Sequence, residues 1–474
     1  MALLWPTVAR PGTKPVWLAL VLALLLASFG YLGVSASRQF HANRAFQSPK
    51  LPPAASPAPS LAALLAGASA VPAPATGSSD APMPTPAGVA AALAPKLADP
   101  DLGPSLAGQV FDARSGTLLF DQRSTAAVAP ASTAKLLTAA AALTVHRPTD
   151  RFSTTVVAGS TPSTVVLVGG GDPTLSAAPA GQPTEYAEAA RMTDLAARVR
   201  AAVRTARISR VVVDDSAFSG PATAPGWEPQ DTPSTYAAEI TATMIDGGRD
   251  APGDQFRSAA PDLAAGNALA RALGGAEVSR GRAPTGAKVL GQVRSAPLSV
   301  LIEQMLRTSD NVIAEVVGRH IALAAHQPAS FAGAVAAIRT TLAGLEIAVG
   351  NGLFDASGLS LRDRVPAAVL AKTLLVTVSG QQRLRPLLSG LSIAGWDGTL
   401  VGEHRFSGPA AVGAGAVRAK SGSLTSVSSM AGVLIDADGR LLVFSFVVDQ
   451  APAEGPSRAA VDNLVAALVR CGCH

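Results

Sequence analysis

The pattern of apolar and polar positions divides the 474-residue chain into three stretches. Val16 to Val34 is an unbroken apolar run without charge, and a helix of this length, rising ~1.5 Å per residue, can cross a bilayer. Residues 51 to 100 hold few charges and are rich in Pro and Ala, which predicts an extended linker. Folded sequence, in which apolar residues recur with strand and helix periods, is expected from near Leu102 onward.

The first folded stretch predicts two strands and a helix. "LAGQVFDARSGTLLFDQRS" alternates apolar and polar residues around a turn at Arg114-Ser115-Gly116, and an Ala/Leu-rich helical run follows "PASTAK". From about residue 152 the pattern changes to short strands such as "STTVVAG" and "ISRVVVDDSAF", one amphipathic helix in "DLAARVRAAVRTA", and Pro/Gly-rich segments. This change marks a region that differs in pattern from the sequence before it.

Helical and strand patterns return in the last third of the chain. Residues 296 to 325 are helical in pattern, Asp438-Gly439 separates two apolar runs as in a β-hairpin, and "SRAAVDNLVAALVR" predicts a terminal helix. Antiparallel strands covered by helices predict an α+β fold. The pattern therefore divides the chain into a signal segment or membrane anchor over 1–45, a linker over 46–100 and folded sequence from residue 101, whose pattern differs between residues 152 and 290.

The flanks of the first apolar run leave two interpretations open. Arg10 and Lys14 precede it, as in a signal peptide, and "VSA" at Val34 to Ala36 is similar to a cleavage site. The length of the run favours an uncleaved anchor. Because Arg38 and Arg44 follow the run, positive charge does not set its orientation.

Charge and cysteine content limit the classes of function. The formal net charge is +5, but no basic run or basic stripe interleaved with aromatic residues occurs, so a nucleic acid partner is not expected. Cys471 and Cys473 are the only cysteines, and a body free of cysteine suits an extracytoplasmic enzyme with a large core. Together with His474 they form a weak candidate metal site, and a local disulfide or a tail without function are the alternatives.

Three short motifs carry candidate chemistry: Ser132-Thr-Ala-Lys135, Ser309-Asp310-Asn311 and Lys420-Ser421-Gly422. Each alone is common by chance and has a structural explanation, namely a helix cap with a solvated lysine, a helix-breaking turn, and an ordinary strand lysine. Their predicted settings are a helix start, a break between two helical segments, and a strand beside a hairpin. Their order and settings together favour one catalytic site.

The first motif can supply a nucleophile and its base. A serine hydroxyl needs a base to react at neutral pH, and residues three apart share a helix face, so Lys135 can reach the Ser132 hydroxyl. A lysine acts as a base only if its pKa falls, and burial and a second cation, Lys420, both act in that direction. The sequence therefore predicts Ser132 and Lys135 as catalytic residues.

The second and third motifs supply the remaining side chains. We expect Ser309 to relay a proton and Asn311 to hold a substrate amide. Lys420 and Ser421, with Gly422 beside them on the predicted strand, are expected to bind a substrate carboxylate.

Two backbone groups complete the predicted site. The N–H of Ser423 and the N–H of Ser132 would form an oxyanion hole, worth ~3 kcal/mol for each donor. No competing site is evident, because the chain has no G-x-S-x-G elbow and its six histidines are scattered without an H-E-x-x-H motif.

The motifs resemble the S-x-x-K, S-D-N and K-[TS]-G signature of serine penicillin-recognising enzymes. Longer segments are similar to one branch, the D-alanyl-D-alanine carboxypeptidase/endopeptidase family (class C low-molecular-mass penicillin-binding proteins). They are "PASTAKLLTAAAAL", "LVGGGDPTLS", "VVVDDSAFSGPATAPGW", "LRTSDNVIAEVVGRH", "FDASGLSLRDRV" and "VRAKSGSLTSVSSMAG". The family carries an inserted domain between its first two motifs, so the resemblance implies a catalytic domain from 101–151 and 291–474 with an inserted β-rich domain over 152–290. Members of the family usually have Thr at the place of Ser421.

The resemblance implies a penicillin-binding-protein/β-lactamase-like transpeptidase domain with an insert. It implies hydrolysis of the terminal D-Ala-D-Ala bond of peptidoglycan stem peptides through an acyl-enzyme at Ser132, with D,D-endopeptidase cleavage of cross-bridges as a second option. β-Lactams would acylate the same serine, and no metal or organic cofactor is implied. Because the substrate lies outside the cytoplasm, the catalytic part is expected on the outer side of the membrane or in the cell wall, anchored or secreted.

Two rival hypotheses remain at this stage. A class A β-lactamase would show Glu-x-x-x-Asn after Ser-Asp-Asn, and the nearest pair here, Glu346 and Asn351, is one residue out of frame. A catalytically idle scaffold that binds the cell wall is the other hypothesis, and three intact motifs argue against it.

Overall fold

The computed structural model describes residues 80–204, 207–380, 382–402 and 404–474. The predicted membrane segment, Val16 to Val34, and the predicted linker up to residue 79 lie outside the described residues. Within the described part of the chain, no helix has both the length and the apolar composition needed to cross a membrane.

Helices and strands alternate along the described chain. The helices are α1 (Pro86–Leu97), α2 (Lys135–Val145), α3 (Met192–Val203), α4 (Pro261–Ala272), α5 (Leu298–Arg307), α6 (Asn311–Ala324), α7 (Phe331–Ala343), α8 (Ala367–Val378), α9 (Arg385–Gly390) and α10 (Glu454–Val469). The strands are β1 (Ser105–Asp112), β2 (Leu118–Gln122), β3 (Ala127–Val128), β4 (Ser153–Ala158), β5 (Thr164–Val168), β6 (Arg210–Asp214), β7 (Glu277–Arg280), β8 (Val289–Arg294), β9 (Val365–Pro366), β10 (Ser392–Ile393), β11 (Val417–Leu424), β12 (Val427–Ile435) and β13 (Leu441–Asp449).

The larger sheet joins the two ends of the described chain. Its six strands lie in the order β10-β11-β12-β13-β1-β2, and all neighbours are antiparallel. β1 therefore pairs with β13, more than three hundred residues away, with Gln109 opposite Ser445. The predicted hairpins around Ser115 and around Asp438-Gly439 are both present.

Both faces of this sheet are covered, which explains its strand sequences. In β13, Val443 and Val447 face a core shared with α2, α6 and α8, whereas Phe444 and Phe446 face a second core shared with α1 and α10. Strand side chains alternate between the faces, so a strand covered on both sides is apolar at nearly every position. α2 is buried along its first nine residues, and its Ala/Leu composition suits that position.

The smaller sheet lies between the first two motifs in the sequence. Its order is β7-β6-β5-β4-β8, in which β5, β6 and β7 are parallel and β4 is antiparallel to both its neighbours. Parallel neighbours need crossover connections, and α3 and α4 provide them and pack on the sheet. The insert predicted as β-rich is therefore mixed α/β, and its last strand ends at Arg294, beyond the predicted boundary at residue 290.

The predicted linker is wrong at its C-terminal end, because α1 forms within residues 46–100. Pro86 starts the helix and the Thr85 hydroxyl caps it by accepting from Gly88 N at 3.0 Å. Val89 and Leu93 are fully buried against α10. The helix was not predicted because its Pro/Ala-rich sequence has no strong helical period. Its stability comes from packing on α10.

The C-terminal tail is tied to α1 rather than frayed. Cys471 and Cys473 are paired as a disulfide, which agrees with one of the alternatives from the sequence. The Cys473 carbonyl accepts from Thr85 N at 2.6 Å. Among the residues with described positions, no group of three or more His, Cys, Asp or Glu side chains has the arrangement to hold a metal ion.

Candidate active site

Ser132 lies in a 3-10 turn, Ala131–Ala134, that leads directly into α2. Two hydrogen bonds stabilise the turn: the Thr133 and Ser429 hydroxyls both donate to the Pro130 carbonyl, at 2.6 and 2.7 Å. Ala131 has a left-handed backbone, with φ 48°, which is unfavourable for a residue with a side chain. Ser132 does not cap the helix, so the simplest structural explanation of the first motif does not hold.

The Lys135 ammonium group has three acceptors. Its Nζ donates to Ser132 Oγ at 3.0 Å, to Asn311 Oδ1 at 2.6 Å and to the Ser357 carbonyl at 2.8 Å. The side chain is fully buried. The predicted i to i+3 reach is thus present, and the first two motifs meet at one atom.

The surroundings of Lys135 make its proton easier to remove than that of an exposed lysine. Burial lowers the pKa of Lys135 to about 8 because the charged form is deprived of water. The negative charges of Asp355, Glu315 and Asp310 oppose that effect by favouring the ammonium. A lysine with a pKa near 8 can serve as a base at neutral pH.

The second motif lies where α5 gives way to α6. Asp310 is the N-cap of α6, accepting from Ile313 N at 3.0 Å, and it also accepts from Tyr186 at 2.7 Å and from the buried Arg257 at 3.0 Å. Burial would raise the pKa of Asp310, but the Arg257 charge and these hydrogen bonds outweigh it and lower the pKa to about 2. Asp310 therefore fixes the start of α6, and with it Asn311.

Asn311 and Ser309 differ in how they join the site. The Asn311 amide accepts from Lys135 and donates to the Tyr236 carbonyl at 3.2 Å. Ser309 is half-buried with φ 61°. Among the described residues, no hydrogen bond links its hydroxyl to Ser132 or Lys135. Its role as proton relay stays a prediction.

The third motif lies on β11, as predicted, and its glycine allows close contact with the nucleophile turn. A Cβ at Gly422 would lie 2.8 Å from Ser132 N and 3.0 Å from the Ala131 Cβ, so a larger residue would push the strand away from the turn. The lack of a side chain thus lets β11 lie directly against the Ser132 backbone, and Ser423 is the next residue of that strand. The Ser421 hydroxyl donates to Thr399 Oγ1 at 2.7 Å.

Lys420 is buried as deeply as Lys135 but has different surroundings. Its Nζ donates to the Ser421 carbonyl at 2.6 Å. Burial lowers the pKa of Lys420 well below its usual range, and repulsion from Lys135 and Arg405 adds to that effect. From the sequence we expected the positive charge of Lys420 to lower the pKa of Lys135, whereas in the structure the charge of Lys135 contributes to lowering the pKa of Lys420.

Sequence reasoning missed four residues of the site: Ser357, Asp355, Glu315 and Thr399. The first two lie in "FDASGLS", which carried the family resemblance but received no role. An Asp-x-Ser-Gly sequence is also common in turns, so Asp355 and Ser357 did not stand out. A glutamate within a helix is usually exposed to solvent, so Glu315 did not stand out either. Their burial depends on tertiary packing, so no local signal identified them.

Known proteins are similar to this chain over most of its length, including all three motifs. The sequence profile described as the D-Ala-D-Ala carboxypeptidase 3 (S13) family matches residues 89–252 and 250–468. The chain is 48% identical over 399 residues to carboxypeptidase Rv3627c of Mycobacterium tuberculosis, covering 82% of this chain and 85% of that protein. It is 44% identical over 401 residues to carboxypeptidase DacB of Mycolicibacterium smegmatis, covering 83% of this chain and 86% of that protein.

A solved structure shares the fold. Penicillin binding protein 4 (dacB) of Haemophilus influenzae superposes with a TM-score of 0.66 at 21% identity, covering 82% of this chain and 100% of that one. At this identity the match concerns the fold, and it confirms the predicted α+β, penicillin-binding-protein-like class. The sequence matches confirm the family resemblance on which the predicted enzyme class depended.

Proposed function

The chain belongs to the D-Ala-D-Ala carboxypeptidase 3 (S13) family, and we propose that Ser132 is its acylated nucleophile and Lys135 the base that activates it. The family membership establishes a serine-type carboxypeptidase. One observation carries the assignment of residues: the buried Lys135 Nζ lies 3.0 Å from Ser132 Oγ and has a pKa of about 8. The substrate is the D-Ala-D-Ala end of a peptidoglycan stem peptide.

Acylation begins with neutral Lys135. Its Nζ takes the proton of the Ser132 hydroxyl while Oγ forms a bond to the carbonyl carbon of the penultimate D-Ala. The carbonyl oxygen gains the negative charge and is stabilised by the N–H groups of Ser132 and Ser423. The close contact of Gly422 with Ser132 N supports this pairing, because it holds β11 against the turn.

Collapse of the tetrahedral intermediate breaks the C–N bond. The terminal D-Ala leaves as an amine after taking the proton that Lys135 holds, with the Ser309 hydroxyl as relay. The product is an ester between Ser132 and the shortened peptide. Water then attacks that ester, Lys135 accepts its proton and returns one to Ser132 Oγ, and the free peptide carboxylate leaves.

Lys420 and Ser421 bind the carboxylate of the terminal D-Ala. The Lys420 ammonium donates to the Ser421 carbonyl, and an arriving carboxylate would favour its charged form. Asn311 holds the amide of the penultimate residue with its Nδ2 group, which now donates to the Tyr236 carbonyl. The two sides of the cleft thereby hold the two ends of the scissile dipeptide.

The site of action is outside the cytoplasm, since peptidoglycan stem peptides are there. The apolar run Val16 to Val34 would anchor the enzyme on the outer side of the cytoplasmic membrane, with the Pro/Ala-rich segment as a spacer. β-Lactams would acylate Ser132 as mimics of D-Ala-D-Ala. We propose the domains predicted from the sequence, with the inserted domain extended to Arg294 and α1 added to the catalytic domain.

Digestion of defined muropeptides by the wild type and by Ser132→Ala tests this function. We expect the wild type to release free D-Ala and to be labelled covalently by a fluorescent penicillin, and the variant to do neither. Opening of cross-linked dimers would add the endopeptidase activity. Equal D-Ala release by the variant would refute the mechanism, and rapid turnover of penicillin without a lasting adduct would favour a β-lactamase.

A further inference from the structure

A buried glutamate lies next to the catalytic groups without a role in the reaction described above. Glu315 follows Asn311 by one turn on α6 and is fully buried. Both of its carboxylate oxygens lie within hydrogen-bond distance of Ala356 N, at 3.0 and 3.1 Å. Burying a carboxylate is costly, so its retention at this place needs a reason.

Glu315 holds a segment that contacts the base. Residues 354–360, here the 354–360 loop, fold around the Asp355 carboxylate, which accepts from the backbone N–H groups of Ser357, Gly358 and Ser360 at 3.1, 2.6 and 2.7 Å. Trp227 Nε1 also donates to Asp355, at 2.8 Å. The folded loop directs its Ser357 carbonyl at Lys135 Nζ.

Two of the groups that accept from Lys135 Nζ are connected to each other through Glu315. α6 supplies Asn311, whose Oδ1 accepts from Nζ, and one turn later it supplies Glu315, which holds Ala356. Ala356 precedes Ser357, whose carbonyl accepts from the same Nζ. Two of the three acceptors of Lys135 are therefore set at a fixed separation by one helix and one glutamate.

We propose that Glu315 is a positioning residue for the reaction: it holds the 354–360 loop through Ala356 N–H, so that the Ser357 carbonyl keeps Lys135 Nζ directed at Ser132. This inference rests on the proposed roles of Ser132 and Lys135. Positioning within a few tenths of an ångström has large effects on rate, and a displacement of about 1 Å can cost about 100-fold.

The charge of Glu315 adds a second effect on Lys135. The charged groups that face it are Lys135 on α2, Asp355 and Asp363 from the adjoining loop, and Arg319 on its own helix. Burial, reinforced by Asp355, raises the pKa of Glu315 to about 8. Glu315 thus ionises in the pH range where Lys135 must lose its proton, and its negative charge retains that proton.

Three variants separate these effects. Glu315→Gln keeps an oxygen that can accept from Ala356 N–H but cannot ionise, Glu315→Leu keeps the volume but removes the acceptor, and Asp112→Asn is a matched control. Asp112 is also a buried carboxylate, and it accepts from Arg440 at 2.8 Å and from the Ser115 hydroxyl at 2.6 Å, neither of which belongs to the proposed site. The readout is the rate constant of acylation by a fluorescent penicillin between roughly pH 6 and 9.5, with Tm measured for each protein.

We expect Glu315→Gln to retain the maximal rate within about threefold and to move the midpoint of the pH profile down by roughly one unit, since Lys135 loses a neighbouring anion. Glu315→Leu should lower the maximal rate about tenfold or more. Asp112→Asn should lower Tm without moving the midpoint. A wild-type midpoint in Glu315→Gln, or a wild-type maximal rate in Glu315→Leu, would overturn the inference.

The outcomes also separate this inference from the proposed function. Labelling that survives Ser132→Ala would refute the proposed function and remove the basis of the inference. Labelling confined to Ser132, together with unchanged Glu315 variants, would refute the inference alone. If Glu315→Leu does not fold, the midpoint of Glu315→Gln decides, and an equal shift in Asp112→Asn would overturn the inference.

Discussion

Lys135 and Lys420 lie on two sides of the proposed site and are both fully buried, but their hydrogen-bond partners and neighbouring charges differ. Lys135 is on the helical side, formed by the Ala131–Ala134 turn, α2, α6 and the 354–360 loop, and has three acceptors and three neighbouring carboxyl groups. Lys420 is on the sheet side, formed by β11 and Thr399, and its hydrogen-bond partner is a carbonyl of its own strand. The charges that act on it, Lys135 and Arg405, are both positive.

This difference shows that burial alone does not decide what a lysine does. Burial lowers the pKa of both residues, but the carboxyl groups around Lys135 limit the fall to about 8, where a proton can be taken up and given back. Lys420 lacks that compensation, so its pKa falls well below its usual range. A site of this kind gains most from an arriving anion, which suits the binding of a carboxylate rather than proton transfer.

The largest expected effect comes from replacing the base on the helical side. Lys135→Arg keeps a positive charge but cannot give up its proton, and Lys135→Met removes the charge. Both should lower acylation by a fluorescent penicillin by roughly 1,000-fold, the range of general-base catalysis. An exposed lysine, Lys288, offers a control in Lys288→Met, which should acylate normally. More than about a tenth of wild-type activity in Lys135→Arg would contradict the role of base.

The pH dependence of acylation should report the same group. Lys135 acts when neutral and its pKa is about 8, so the rate constant should rise roughly tenfold for each pH unit up to about 8 and then level off. Stopped-flow labelling of the wild type measures it. A rate that stays constant from about pH 6 to 9 would mean that the base titrates outside this range.

Replacement on the sheet side should affect substrate binding more selectively. Lys420→Met keeps the length of the side chain and removes the charge. A hydrogen bond to a charged group contributes about 1.5–3 kcal/mol, so kcat/KM for a peptide that ends in D-Ala-D-Ala should fall roughly 10- to 100-fold. The same peptide with a C-terminal carboxamide is the control and should be hydrolysed equally by both enzymes. Equal losses on the two peptides would place Lys420 outside carboxylate binding.

The residues that the sequence identified share one property, a short local spacing with chemical meaning. Ser132 and Lys135 are three apart at a helix start, and that spacing fixes their contact in any helix. Ser357 and Glu315 have no such spacing, since they meet Lys135 only after α6 and the 354–360 loop pack together. α1 was missed for a related reason, because its helix depends on α10, hundreds of residues away.

Strand pairing was likewise predictable only where neighbouring segments determine it. The β12–β13 hairpin was predicted, since Asp438-Gly439 between two alternating apolar runs is a turn signal, and the connection between the two strands spans Asp436 to Arg440. The parallel pairs of β5 with β6 and β6 with β7 were not, because a strand's own periodicity is the same in either direction. Chemistry and topology were thus predictable where local geometry decides them, and not where distant segments do.

The smallest expected effect concerns the hydroxyl of the third motif. The Ser421 hydroxyl donates to Thr399 Oγ1 at 2.7 Å and lies beside Lys420. Ser421→Ala removes a hydroxyl that would donate to the substrate carboxylate while Lys420 still binds it, and a hydrogen bond to a charged group is worth about 1.5 kcal/mol at the low end of its range, so kcat/KM should fall roughly tenfold. Ser421→Thr keeps the hydroxyl and should stay within about threefold of the wild type. A loss of more than tenfold in Ser421→Thr would mean that the added methyl does not fit against the Thr399 segment, and that the sheet side is packed as tightly as the helical side.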